Sequence, residues 1–166
     1  MKLPRCVSEI IAKLEQAGYD AYAVGGCVRD MLLGKEPQDY DVTTSALPYQ
    51  TEKVFEGYRI IETGLRHGTV TVLSEGKPIE ITTFRIDGEY TDHRRPDAVS
   101  FTASLEEDLK RRDFTVNAMA YSESRGVIDC FGGRDDLEKG VIRCVGEPGK
   151  RFSEDGLRIM RALRFA

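Results

Sequence analysis

The chain has 166 residues, enough for one domain with a single buried core and room for a short appendage. Apolar residues make up 40% and charged residues 31%, with no low-complexity tract, no repeat and no apolar run of membrane-spanning length, which places it among ordinary globular proteins and away from disordered, fibrous or membrane-spanning ones. A formal charge of −4 argues against indiscriminate adhesion to nucleic acid, and four widely spaced cysteines (Cys6, Cys27, Cys130, Cys144) without a C-x-x-C pair argue against a zinc site or a disulfide framework. Residues 1–7 lack the long apolar stretch of a secretory signal, so the expectation is a cytoplasmic protein with reduced thiols.

Ser8, the spacing of Ile10, Ile11, Leu14 and Ala17, and Gly18 supply a cap, a helical period and a stop in that order, and predict the first helix. Residues 21–24, AYAV, read as a short buried strand, and CVRDMLLG as a brief helix closed by Gly34. Gly25 and Gly26 then fall at a strand-to-helix turn. YDVTT alternates as a strand, and Pro48 suits the first turn of a helix reaching about Phe55. YRIIE, GTVTVLS and PIEITTF are three strand-like runs, the last two joined by a tight turn at Glu75 and Gly76, and together they make a mixed sheet. Residues 86–98 are polar and charged without a period and read as a loop. Ser104 and Glu107 form a capping box opening LEEDLKRRDFTVNAMAY, a stretch that accommodates two short helices. GVIDCFGGRDDLEKGVIRCV reads as a strand, a glycine turn, a helical turn and a second strand. The last segment, FSEDGLRIMRALRFA, is helical, with Ile159, Leu163 and Ala166 on one apolar face beside Met160; that face is still running at Ala166, as in a fragment or the opening of a second domain.

The chemistry concentrates on the acids. Asp39 and Asp41 flank Tyr40 at the start of a strand, and residues two apart on a strand share a face. Isolated, such a pair is ordinarily just solvated, but a glycine pair precedes it by a dozen residues and Glu80 stands between Ile79 and Ile81 on a later strand. Three carboxylates on adjacent strands make a hard-oxygen site suited to Mg²⁺, and Asp39 and Asp41 could bridge two such ions. The glycines would let backbone amides at a helix start approach a triphosphate, with Arg29 one turn on reaching the same phosphates. Lys110, Arg111 and Arg112 are consecutive, and from Lys150 onward five cations face only Glu154 and Asp155, so a phosphate-bearing ligand has partners there.

Taken in order, GGCVRDMLLG with DYDVTTSA, IEITTFR, RRDFTVNAMAY, FGGRDDL and EDGLRIMRALRFA resemble the head domain of class II tRNA nucleotidyltransferases, the CCA-adding enzymes, within the bacterial poly(A) polymerase group of the DNA polymerase beta-like superfamily. The resemblance runs from about Ala21 to the end of the chain. It implies an α/β (α+β) head, a small mixed sheet packed against helices with the active site at one sheet edge, over residues 1–150, and the first helix of a nucleotide-selecting neck over 151–166. It implies CTP, ATP and a tRNA 3′ end as partners, no membrane, and two Mg²⁺ ions. Asp39 and Asp41 correspond to the metal ligands and Glu80 to the third acid. Gly25, Gly26 and Arg29 correspond to triphosphate contacts, and Arg112, Asp113 and Asn117 to contacts with the nucleotide and its ribose. Asp155, Arg158, Arg161 and Arg164 match the motif that reads the incoming base: a carboxylate and a guanidinium three apart on a helix present an acceptor and donors together, matching the amino group and ring nitrogen that cytosine and adenine share. Residues 85–101 resemble the flexible loop of members able to add A, with Asp92, Arg94 and Arg95 as gating candidates. The reading is thus addition of CCA without a template; an A-adding enzyme, a CC-adding enzyme, a poly(A) polymerase or a non-catalytic RNA- or nucleotide-binding module are the alternatives. Cys130 departs from the proline that relatives carry before F-G-G, and neither His67 nor His93 has metal spacing.

Overall fold

A computed structural model describes residues 1–94 and 98–166. Its frame is a seven-stranded sheet in the order β3-β4-β5-β2-β1-β8-β9, built from β1 (Ala21–Val24), β2 (Asp41–Thr44), β3 (Ile60–Gly64), β4 (Thr69–Ser74), β5 (Lys77–Thr83), β8 (Met119–Ser122) and β9 (Gly126–Asp129). β2 and β5 run parallel, and the other neighbours antiparallel.

Side-chain alternation gives the sheet two different faces. On one face Val42, Val70, Val72, Ile79, Ile81, Ala21, Ala23 and Met119 join one core with α1 (Arg5–Gln16), α2 (Gly26–Leu32) and residues around α3 (Pro48–Val54). α1 contributes Cys6, Val7, Ile10, Ile11 and Leu14, one stripe at helical spacing. On the other face Tyr22, Val24 and Ala120 pack with Phe84 and with Leu105 and Leu109 of α4 (Leu105–Lys110). α4 lies over one part of that face, and the intervening residues of β4, β5 and β2 there are Thr69, Thr71, Glu80 and Asp41, which line a cavity. The three buried cysteines, Cys6, Cys27 and Cys144, and the exposed Cys130 are all free thiols.

Several sequence expectations are corrected. The first helix begins at Arg5 after Pro4, not at Ser8, whose hydroxyl donates to Glu123; proline is well suited to a helix start because it has no amide to leave unbonded. The stretch expected to form two helices forms α4, a 3₁₀ turn at Thr115–Asn117 and then strand β8, whose small residues lie at 0% exposure between two strands. Tertiary burial overrides propensity there. The expected loop is flanked by two short strands, β6 (Arg85–Asp87) and β7 (Val99–Phe101), paired with each other. The expected strand after α5 (Gly133–Lys139) is reduced to a single bridge between Cys144 and Phe114. The C-terminal helix is two: α6 (Pro148–Glu154) and α7 (Leu157–Phe165), broken at Asp155, whose φ −143° and ψ 106° are extended. The cavity lies over central strands β5 and β2 rather than at a sheet edge, because the chain returns to pair outside them on both sides.

Candidate active site

A cavity of about 1060 Å³ opens on the polar face of the sheet, and every acid, glycine and nucleotide contact expected from the sequence lines it, the gating candidates Asp92 and Arg95 apart. Register explains the floor. Thr71 stands opposite Glu80, Glu80 opposite Asp41, and Asp41 opposite Val24, so one row across four strands carries two carboxylates. Asp39 enters from the segment before β2. Asp41 is open to the cavity yet hemmed by protein, and this desolvation, with the charge of Asp39, raises its pKa above the ordinary carboxylate range against the opposing pull of Arg112. Glu80 is raised by the same loss of solvation and then by Asp41 and Asp39. Asp41 and Glu80 are thus both held above the ordinary carboxylate range, in a field short of positive charge. Among the described residues no three such groups are drawn together into a ready-made ion cluster, which differs from the three-carboxylate site expected from the strands. The donor set still fits Mg²⁺, which takes one or two carboxylates and completes its shell with substrate phosphates and water.

The wall beside β1 is cationic. Gly25 has φ +80° and ψ −134°, a backbone state that favours glycine, and turns the chain into α2 at Gly26. Arg29, one turn on, is fixed from three sides: Nη1 donates to Asn117 Oδ1 at 2.6 Å, Nε and Nη2 donate to Asp30 Oδ1 at 2.9 and 2.7 Å, and its guanidinium lies 4.7 Å from the Phe165 ring centre. Asn117 is 5% exposed and sits on the 3₁₀ turn that α5 supports; a Cβ on Gly133 would lie 2.2 Å from the Thr115 carbonyl oxygen, so the second glycine of F-G-G is a packing requirement of this turn. Asp113 accepts the Phe114 amide at 2.7 Å and pairs through Oδ2 with Arg161 at 3.0 Å.

The third wall is the helix break. Asp155 Oδ1 accepts the amide of Leu157 at 3.0 Å, and the break puts Asp155 and Arg158 on separate backbone segments instead of one helical face. Arg158 is 5% exposed, donating to Glu154 Oε2 at 3.0 Å and to the Arg151 carbonyl at 2.8 Å, with the Tyr90 ring 5.6 Å away. Arg164 lines the cavity from the exposed side of α7. Arg94 lines it too and takes its turn from Asp92 Oδ1, 2.9 Å from the Arg94 amide; Arg95 lies outside the described residues. His67 is part of the lining, and His93 Nδ1 meets the Ser153 carbonyl at 2.7 Å.

Sequence reasoning missed Arg85, Asp87 and Tyr90 in the lining and Asp108 beneath it; of the two basic runs it noted, Arg111 lines the cavity, while the Arg151 guanidinium bonds the carbonyls of Arg111 and Arg112 and pins α6 to the end of α4. The signal for Asp108 was present: Arg111 and Arg112 follow it by three and four residues, the spacing of helical ion pairs.

A mixed sheet with a D-x-D strand at its centre and a glycine turn beside it defines a polymerase beta-like nucleotidyltransferase head. The family described as the Poly A polymerase head domain matches residues 21–143, and the chain belongs to that family. It is 55% identical over 157 residues to the CCA-adding enzyme of Leuconostoc mesenteroides, covering 95% of this chain and 39% of that protein. It is 56% identical over 156 residues to that of Geobacillus stearothermophilus, covering 94% and 38%. Among solved structures, the Bacillus stearothermophilus CCA-adding enzyme in complex with CTP matches with a TM-score of 0.88 at 51% identity, covering 99% of this chain and 39% of that one. The chain thus spans about two fifths of the length of the relatives it matches.

Proposed function

We propose that this chain is the nucleotidyltransferase head of a CCA-adding enzyme, transferring nucleotides from CTP and ATP to a tRNA 3′ end without a nucleic-acid template and releasing pyrophosphate. The observation that carries the reading is the convergence on one cavity of the paired acids, the glycine turn with Arg29, and the cations and acceptor of the helix break. Residues 1–150 form the head in this reading, and the segment from 151 opens a nucleotide-selecting neck whose Phe152, Ala162 and Phe165 pack against Phe114 and Cys144.

Asp39 and Asp41, with Glu80 opposite, would hold Mg²⁺. When bound, such ions supply a nucleophile at neutral pH and stabilise the departing oxygen. The chain's own groups do the rest. Arg29, already aligned by Asn117 and Asp30, and Arg112 bind the triphosphate as charge-assisted donors. The amides around Gly26 approach the phosphates without a side chain in the way. Asp155 and Arg158 select the base. Arg158 is tethered to Glu154 and Tyr90 in this arrangement, so donating to a ring nitrogen of the base exchanges one of those bonds, while Asp155 is the acceptor for the exocyclic amine.

The test incubates the protein with Mg²⁺, a tRNA lacking its CCA end and each labelled nucleotide, alongside Asp41→Ala. Addition of two C and one A, lost in the variant, is the expected result. C-only products or a long A tail would retain the chemistry and change the specificity; nucleotide binding without turnover by the folded protein would overturn the catalytic reading.

A further inference from the structure

The cavity's cations rest on a carboxylate that is not part of its lining. Asp108 is 0% exposed and accepts from four donors. Thr43 Oγ1 of β2 at 3.0 Å and the Arg85 amide of β6 at 3.1 Å hold it from one side. Arg111 Nε at 3.2 Å and Arg112 Nη2 at 3.3 Å bind it from the end of α4. Both arginines line the cavity. On its other side the Arg112 guanidinium faces Gly25, where Nη1 would be 3.5 Å from a Cβ, and its Nε is buried without a hydrogen-bond partner. An arginine stem has many rotamers, so its fork keeps one direction only when something anchors it. Here the anchor is Asp108.

We propose that Asp108 is a positioning residue, fixing the guanidinium of Arg112, and with it that of Arg111, in the orientation that meets the anionic nucleotide. The inference rests on the reading of the cavity as a nucleotide site. The charge state agrees with it: burial works to raise the Asp108 carboxyl, but Arg112, Arg111, the Arg85 amide and the Thr43 hydroxyl outweigh it and hold it below the ordinary carboxylate range. A neutral side chain there would leave Arg112 to turn toward Asp41, the other carboxylate its charge stabilises. A merely structural Asp108 would instead only staple α4 to β2 through Thr43.

The experiment measures the dissociation constant of CTP with Mg²⁺ and no tRNA, together with thermal stability. Asp108→Asn is expected to weaken CTP by about tenfold, the size of one charge-assisted bond, and to add less than about twofold in an Arg112→Gln background. Thr43→Val, which cuts the staple and leaves both arginines bound, is expected to lower the melting temperature and keep CTP affinity within about twofold. Arg112→Lys, which keeps the charge without the planar fork, is expected to bind CTP as weakly as Arg112→Gln and serves where Asp108→Asn does not fold. Unchanged affinity in Asp108→Asn, equal loss in both backgrounds, or wild-type affinity in Arg112→Lys would overturn the proposal. Absence of CTP binding by the wild type itself would instead sink the nucleotide-site reading on which it stands.

Discussion

Asp41 and Glu80 stand directly opposite each other across the parallel pair β2–β5; loss of solvation pushes both toward the neutral carboxyl, and the charge of Asp41 pushes Glu80 further. A carboxyl whose folded pKa is raised costs stability when ionised, and the cost disappears as pH falls into the ordinary carboxylate range. In metal-free protein the melting temperature of Asp41→Asn/Glu80→Gln should therefore exceed that of wild type at pH 7, and the gap should close by about pH 4. Asp108 and Asp136, both held low, act with the opposite sign and lose their contribution only below that range. A gap that widens on acidification would contradict the assignment.

Divalent-ion binding needs the ionised carboxylates. Mg²⁺ should raise the melting temperature of wild type more at pH 7 than at about pH 4, where the carboxyls take up protons, and should have little effect on Asp41→Ala. Incorporation by Asp41→Asn is expected to fall by at least about a hundredfold while the protein stays folded.

Two glycines separate packing from function. Gly133→Ala places a Cβ 2.2 Å from a backbone oxygen and is expected to cost about 1–3 kcal/mol in chemical denaturation. Gly26→Ala meets nothing nearer than Arg29 Nη2 at 3.6 Å and has no positive φ, so its stability should be equal or slightly higher. Its CTP affinity should nonetheless fall, since the Cβ occupies the approach to the backbone.

Phe165 meets Phe114 edge to face at 6.1 Å and carries the guanidinium of Arg29 on its ring. Phe165→Ala should destabilise the protein by about 1–3 kcal/mol and weaken CTP binding as well. Leu163, 70% exposed on the same helix, should be replaceable by Ser within about 0.5 kcal/mol. Equal effects of the two substitutions in urea titrations would mean that α7 packs differently.

Much of the site was legible because its signals are local. AYAV and GG fix a strand and a turn by spacing alone, and β1 and α2 fall where the apolar pattern and the glycines place them; D-Y-D brings both acids to one cavity, although only Asp41 lies on the strand and Asp39 precedes it. What escaped was non-local. β8 reads as helical because Ala and Met favour helix, and it becomes a strand because β1 and β9 offer it backbone partners on both sides. The helix break at Asp155 has no proline to announce it; Arg158, buried against Glu154 and Tyr90, turns there toward groups the linear pattern does not connect.

The sequence by itself determined which residue types carry the chemistry and which strand faces they occupy, since alternation and helical period are properties of the local backbone. Only the tertiary structure decided that β5 would lie beside β2 and bring Glu80 level with Asp41, and that α4 would bury Asp108 beneath two arginines. Those arrangements depend on strand order and burial, which arise from contacts between segments tens of residues apart.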